Sequence, residues 1–73
     1  MNNKITLRAA RVNVGMTQKE AAFHLGVTKD IVGNWERGKS FPNIKIIPKI
    51  EKTYKIKYEN INFLPQNNAI SIK

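Results

Sequence analysis

The 73-residue chain contains no cysteine, so it can form neither a disulfide bond nor a thiolate metal site. It has one histidine and five acidic residues, which leaves few of the side chains that metal sites and acid–base catalysis use. No nucleophile and base occur at a spacing typical of catalysis. We therefore expect no cofactor, no metal ion and no catalytic residue, and predict that the protein is not an enzyme.

No apolar run is long enough to span a bilayer, so we expect no membrane partner. The first six residues show neither the apolar stretch nor the cleavage site of a signal peptide. A chain this short buries only about 60% of its unfolded surface, which leaves little room for a deep substrate pocket, so we expect no small-molecule ligand. The sequence favours a cytoplasmic protein, and its abundant lysine, asparagine and isoleucine, with A/T-rich codons, suggest a bacterial or phage-encoded source.

Basic residues far outnumber acidic ones, 13 to 5, for a net charge of +8. So much positive charge on a small chain favours a polyanionic partner such as nucleic acid. The alternative is a lysine-rich protein that is soluble and adheres to DNA without specificity, and charge alone does not separate the two. Aromatic residues make up only 8% of the chain. RNA recognition relies on exposed aromatics for stacking, so the sequence favours DNA over RNA as the partner.

Three helices are predicted from their end signals. A threonine precedes each one as N-cap, and the second threonine, Thr17, opens a capping box with Glu20. A glycine follows each helix, where a left-handed residue is favoured. The predicted helices span residues 7–13, 18–25 and 29–37; the caps are Thr6, Thr17 and Thr28, and the glycines are Gly15, Gly26 and Gly38.

The second half of the chain gives weaker signals. Asn43 is predicted to cap a fourth helix whose apolar face is Ile44, Ile47, Ile50 and Tyr54. Pro48 either kinks this helix or lies in the first turn of one that begins later. A short fifth helix is expected over residues 58–64. Residues 1–64 then form one domain, and residues 65–73 form a tail that is disordered, an edge strand or a dimer contact.

The stretch from Gln18 to Trp35 has the apolar pattern of two short helices that meet through a glycine turn. Its inward positions include Ala22, Val32 and Trp35. The outward positions of the second of these helices are therefore free to enter a major groove. They are Lys29, Asp30, Ile31, Gly33 and Asn34.

Residues 7 to 64 resemble the Cro and phage-repressor type (XRE-like) helix-turn-helix family. The resemblance is carried by MTQKEAA at 16–22, LGVT at 25–28, WERGK at 35–39, and Pro42. It implies an all-α, five-helix, lambda-repressor-like DNA-binding domain whose third helix recognises DNA. It further implies a sequence-specific transcriptional regulator that acts on a double-stranded DNA operator.

The resemblance also implies roles for individual residues. Gln18 corresponds to the phosphate anchor, and Lys29, Asp30 and Asn34 to the base readers. Arg11 and Glu36 correspond to an internal ion pair. The backbone-contacting loop corresponds to Arg37, Lys39 and Asn43, and Thr28 and Ile31 complete the predicted DNA-binding set.

The chemistry of the outward residues leaves several alternatives open. Lys29 can reach guanine O6 and N7 or a phosphate, and Asn34 can pair bidentately with adenine. Asp30 can accept from cytosine N4, or it can simply stabilise the start of a helix by about 0.3–1 kcal/mol. Ile31 either touches a thymine methyl group or packs under the second helix.

Four residues depart from the family pattern. Ala21 is smaller than the usual aliphatic residue. Phe23 stands where a polar residue is usual, and is expected to fold down into the space that Ala21 leaves rather than to contact a partner. Gly33 costs a helix interior roughly 1 kcal/mol relative to alanine. Lys57 replaces the usual hydroxyl cap of the fifth helix.

A single module contacts little DNA, so a homodimer on two half-sites roughly 34 Å apart is expected. The candidate dimer contacts are Ile46, Phe63, Leu64, Ile70 and Ile72. Phage regulators, mobile-element regulators, restriction control proteins and antitoxins share this architecture, and the sequence does not choose among them. The alternative function is a protein-interaction adaptor, or an antitoxin-like protein, that keeps the same fold.

Overall fold

The computed structural model of the protein describes residues 4–63. Its four α-helices are α1 (Leu7–Asn13), α2 (Gln18–Leu25), α3 (Lys29–Arg37) and α4 (Ile47–Tyr54). Two short strands, β1 (Ile5–Thr6) and β2 (Ile61–Asn62), lie at the ends of the described region, and one 3-10 turn spans Tyr58–Asn60. The first three helices have the predicted bounds.

The predicted caps of these three helices are confirmed. The hydroxyl of Thr6 accepts a hydrogen bond from the backbone N–H of Ala9 at 3.0 Å. Thr17 and Glu20 form a complete capping box, with bonds of 2.9 and 3.0 Å. Thr28 accepts from the N–H of Ile31 at 3.2 Å. Each such cap contributes typically about 1 kcal/mol, which is appreciable for helices this short.

Glycines make the two sharp turns that flank α3. Gly26 has φ +74° and Gly38 has φ +76°, and this left-handed region is readily adopted by residues without a Cβ. Only Gly26, Val27 and Thr28 separate α2 from α3. The short turn therefore holds the two helices in the compact arrangement typical of a helix-turn-helix.

The fourth helix begins later than Asn43, as the alternative placing of Pro48 predicts. Pro48 lies in the first turn of α4, where a missing N–H breaks no helical bond. The prediction that Asn43 caps this helix is wrong. Its Oδ1 instead accepts from the N–H groups of Lys45 and Ile46, at 2.9 and 3.2 Å, and closes the turn before the helix. Ile44 is 83% exposed and so does not belong to the apolar face.

The predicted fifth α-helix is not found, and residues 4–63 hold four. Lys57 provides no side-chain hydrogen bond to start a helix, and only the single 3-10 turn forms. The chain then runs alongside β1 as a parallel pair, with Ile5 opposite Ile61. Backbone pairing with a distant segment thus replaces helical bonding. Leu64 and the predicted tail over 65–73 lie outside the described residues.

The core lies where all four helices meet the strand pair. Trp35 is 7% exposed, so its predicted role as a core residue is confirmed. Ala21 is completely buried, which lets α2 pack closely. The main cluster comprises Leu7, Ala10, Ala21, Leu25, Trp35, Ile50, Tyr54 and Ile61.

Tyr54 makes this core sensitive to alkali. Burial, aided by the Glu36 carboxylate, raises the pKa of Tyr54 to about 12. The folded protein therefore holds this proton more tightly than the unfolded chain, whose tyrosine pKa is about 10. Stability should be complete below about pH 10 and should fall by up to roughly 2–3 kcal/mol as the pH approaches 12.

Urea unfolding at a series of pH values from about 9 to 12 measures this loss. Tyr54→Phe keeps the ring and removes the titrating group, so its stability should change less over the same range. An identical pH dependence in the variant and the wild type would contradict the assignment.

Candidate nucleic-acid interface

The two sides of α3 differ sharply. Val32 and Trp35 are buried against the core, while Lys29 and Asp30 are exposed and Ile31 is 38% exposed. Thr28, the exposed N-cap, lies at the start of the same helix. The structure thus places the predicted residues at the start of α3 in solvent, on a rigid element.

A buried ion pair fixes the end of α3. Arg11 Nε donates to Glu36 Oε2 at 2.7 Å, Arg11 Nη2 donates to Glu36 Oε1 at 3.1 Å, and Arg11 Nη1 donates to the Met16 carbonyl at 2.8 Å. The two side chains are only 9% and 5% exposed. The Glu36 hydrogen bond raises the pKa of Arg11 above its ordinary value, against the opposing effect of burial. The pair named by the family resemblance is therefore present.

Gln18 joins the same network, which sequence reasoning did not anticipate. Its Nε2 donates to Glu36 Oε1 at 3.0 Å, and the residue is half-buried. One carboxylate therefore ties together α1, the first residue of α2 and the last turn of α3. The sequence shows Gln18 directly after an N-cap and Glu36 late in α3, but their spacing does not predict a contact between them. Only the fold brings the two side chains together.

Gly33 does not lie in open solvent as expected; it is buried. A Cβ on Gly33 would lie 3.2 Å from Arg37 Nη1 and 3.7 Å from Gln18 Nε2. The exposed Arg37 folds back along α3, and its Nη2 donates to Asn34 Oδ1 at 2.8 Å. Asn34 is half-buried. Arg37 and Asn34 are therefore hydrogen-bonded to each other in the middle of the exposed face of α3, so what one side chain can bind depends on the other.

Further basic residues follow α3 in the chain. Lys39 and Lys45 are exposed, as is Asn43, whose carbonyl oxygen is engaged by the turn it closes. With Lys29 and Arg37, this stretch carries four exposed cations between residues 29 and 45. Such a concentration of charge suits a phosphate backbone.

The expected packing of Phe23 is wrong. Its side chain is 82% exposed and so does not pack beside Ala21, which is itself fully buried. The Phe23 ring makes an edge contact with His24, with ring centroids 5.5 Å apart. Within residues 4–63, no group of three histidine, cysteine, aspartate or glutamate side chains could hold a metal ion.

An apolar groove of about 550 Å³ lies between the segment after α3 and the last described residues. Ile44, Phe41 and Tyr58 are 83%, 55% and 53% exposed along it. Of the predicted dimer contacts, Phe63 lines the groove, Ile46 packs against the core, and the rest lie outside residues 4–63. The apolar groove is lined by Phe41, Pro42, Ile44, Ile47, Tyr58 and Phe63.

Comparison with known proteins adds one positive finding. A protein-family model described as "Helix-turn-helix" matches residues 7–60, which include all four α-helices. No curated protein matches the sequence significantly. In the described part of the chain, none of the helices has the length and apolar character needed to cross a membrane.

Proposed function

Because the chain belongs to the Cro/repressor-type helix-turn-helix family of DNA-binding regulators, we propose that it binds a specific duplex sequence and regulates transcription. In this proposal α3 enters the major groove of an operator. The regulator acts in the cytoplasm of a bacterium, encoded there or by a phage or mobile element. It needs no cofactor and catalyses no reaction.

The observation that carries the proposal is the combination of an exposed polar face on α3 with a buried network behind it. Arg11, Gln18 and Glu36 anchor α3 to both preceding helices. A reading helix must be held within a fraction of an ångström, because base-edge hydrogen bonds depend on direction and distance. This combination supports DNA recognition better than it supports a generally basic surface.

The proposed roles follow the positions of the side chains. Lys29 and Asn34 contact base edges in the major groove, while Lys39 meets a phosphate beside it. Arg37 reaches the DNA together with Asn34, to which it is hydrogen-bonded. Gln18 hydrogen-bonds a phosphate that lies at the N-terminus of α2. The remaining contacts with the DNA come from four neighbouring residues, Thr28, Asp30, Ile31 and Asn43.

We further propose that two copies bind together, in contact through the apolar groove. Ile44 alone is 83% exposed there, and an exposed apolar patch rimmed by polar residues typically marks an interaction site. Phe63, one of the predicted dimer contacts, also lines the groove. Two-fold pairing would double both the phosphate contacts and the length of sequence read.

Selection of bound sequences from random duplex DNA tests the proposed function. The enriched sites should be two-fold symmetric, with half-site centres about one helical turn, roughly 34 Å, apart. Sedimentation of the complex on one selected site should give two protein chains per duplex. A wild-type protein that enriches no sequence would refute specific recognition, and one that enriches single, unpaired half-sites would refute the dimer.

A protein-interaction adaptor or antitoxin-like protein is the second candidate, favoured by one specific observation. Phe23 places an aromatic ring 82% exposed on α2. Such rings often anchor protein interfaces. The adaptor becomes the better interpretation if the selection experiment finds no preferred duplex.

A further inference from the structure

Gly33 is the one glycine of the four in this chain whose backbone φ angle does not call for glycine. The other three, Gly15, Gly26 and Gly38, have positive φ angles, whereas Gly33 lies within the regular turns of α3. A glycine inside a helix lowers helix stability relative to alanine. The reason for glycine at this position must therefore lie in what surrounds it.

The space beside Gly33 is occupied by the Arg37 side chain. A Cβ there would lie 3.2 Å from Nη1, tight enough that the guanidinium would have to shift by a few tenths of an ångström, and 3.7 Å from Nη2, an ordinary contact. Arg37 follows Gly33 by four residues, so its side chain lies along the same face of the helix. The absence of a side chain at position 33 thus allows the guanidinium to lie flat against α3.

This position brings the guanidinium onto Asn34. Arg37 Nη2 donates to Asn34 Oδ1 at 2.8 Å, and since a guanidinium can only donate, the amide must offer its oxygen. The pairing of asparagine with adenine needs that oxygen to accept from the base amino group, while the amide nitrogen donates to N7. Arg37 therefore competes with adenine for the Asn34 carbonyl.

What remains exposed on this pair is a set of donors. The Asn34 amide nitrogen keeps its two hydrogens, and Arg37 has further N–H groups beyond the one bound to Asn34. In the major groove, guanine presents two acceptors, O6 and N7, and adenine presents one acceptor beside a donor. Two neighbouring donors of this kind match guanine and mismatch adenine.

We propose that Gly33 is a specificity-determining residue that makes Arg37 and Asn34 a joint reader of guanine. The inference rests on the proposed function, since it concerns which base α3 reads. It assigns Arg37 to a base edge, where the family resemblance implies only backbone contact. It also replaces the adenine contact that Asn34 would make alone.

The test measures binding to the duplex selected by the wild type and to variants of it at each base pair, at one fixed salt concentration. Asn34→Ala identifies the base pair that this reader contacts, as the one whose discrimination it removes. The wild type should prefer guanine over adenine there by about fivefold or more. Gly33→Ala should reduce that preference at the same base pair, because its methyl group shifts the guanidinium by a few tenths of an ångström and so disturbs hydrogen bonds that depend on distance and direction.

Two further measurements separate readout from folding and from charge. Gly33→Ala should unfold at the same or a higher temperature than the wild type, because alanine favours the helix. Arg37→Lys keeps the positive charge but loses the planar fork, so it should lower the preference for guanine as Gly33→Ala does.

The outcomes distinguish this inference from the function on which it rests. A wild type with no preferred duplex would overturn both. A preferred duplex with adenine at the base pair read by Asn34 would overturn only the guanine reader. So would a folded Gly33→Ala variant that keeps the full wild-type preference.

Discussion

Glu36→Ala is expected to lower the free energy of unfolding by about 3–5 kcal/mol, the typical cost of removing one partner from a buried ion pair. Glu36 receives hydrogen bonds from Arg11 Nε and Nη2 and from Gln18 Nε2. Without it, the Arg11 side chain, only 9% exposed, keeps its charge with a single backbone carbonyl as partner. Since small domains are stable by only about 5–15 kcal/mol, this loss is a large share of the total and the variant should unfold at a much lower temperature and urea concentration than the wild type.

Urea or thermal unfolding measures this effect, and Glu59→Ala provides a matched control. Glu59 is an exposed carboxylate on the 3-10 turn, so its removal should change stability by no more than about 0.5 kcal/mol. The double variant Arg11→Met with Glu36→Met should be more stable than Glu36→Ala, because it leaves no unpaired buried charge. Equal stability of Glu36→Ala and Glu59→Ala would show that the network does not hold the helices together.

The affinity for the selected operator is expected to fall by about 10² between roughly 50 and 200 mM salt. Of the four exposed cations on or just after α3, Lys39 and Lys45 are free to meet phosphates, because Lys29 and Arg37 are assigned to base edges. Two copies would neutralise about four phosphates, and each one contributes about −0.9 to the slope of log affinity against log salt. The slope should thus be near −4 for a dimer and about half of that for a single copy.

A titration series by fluorescence anisotropy gives this slope directly. Lys39→Ala should make the slope shallower by about 1–2 in the dimer and should weaken all duplexes alike, because phosphate contacts carry no sequence information. Lys57→Ala is the matched control, an exposed lysine outside the proposed interface. An affinity that does not change with salt, or an equal change of slope in both variants, would contradict the assigned phosphate contacts.

The first three helices could be predicted from the sequence because their end signals are local. A threonine hydroxyl bonds an N–H three residues later, as Thr6, Thr17 and Thr28 do here. A glycine adopts its left-handed turn regardless of distant neighbours. Position and sequence spacing were therefore enough to place α1, α2 and α3, and with them the outward residues at the start of α3.

Two of the features that sequence reasoning missed depend on neighbours far along the chain or on side-chain direction. The end of the described chain pairs with β1, more than fifty residues earlier, so the expected fifth helix gives way to a strand. Phe23 is 82% exposed on α2 rather than packed beside the buried Ala21, and its sequence position does not specify which way its ring points.

The candidate site divides in the same way. Composition, end signals and the family resemblance were sufficient to identify a basic helix-turn-helix and to name the Arg11–Glu36 pair. Only the tertiary structure shows that Gln18 donates a hydrogen bond to Glu36. It also shows that the Arg37 guanidinium lies beside Gly33 and donates to Asn34. Helix periodicity specifies which face a residue occupies, but hydrogen-bond partners follow from the directions that packed side chains adopt. The donors and acceptors that this face of α3 presents were therefore decided by the fold.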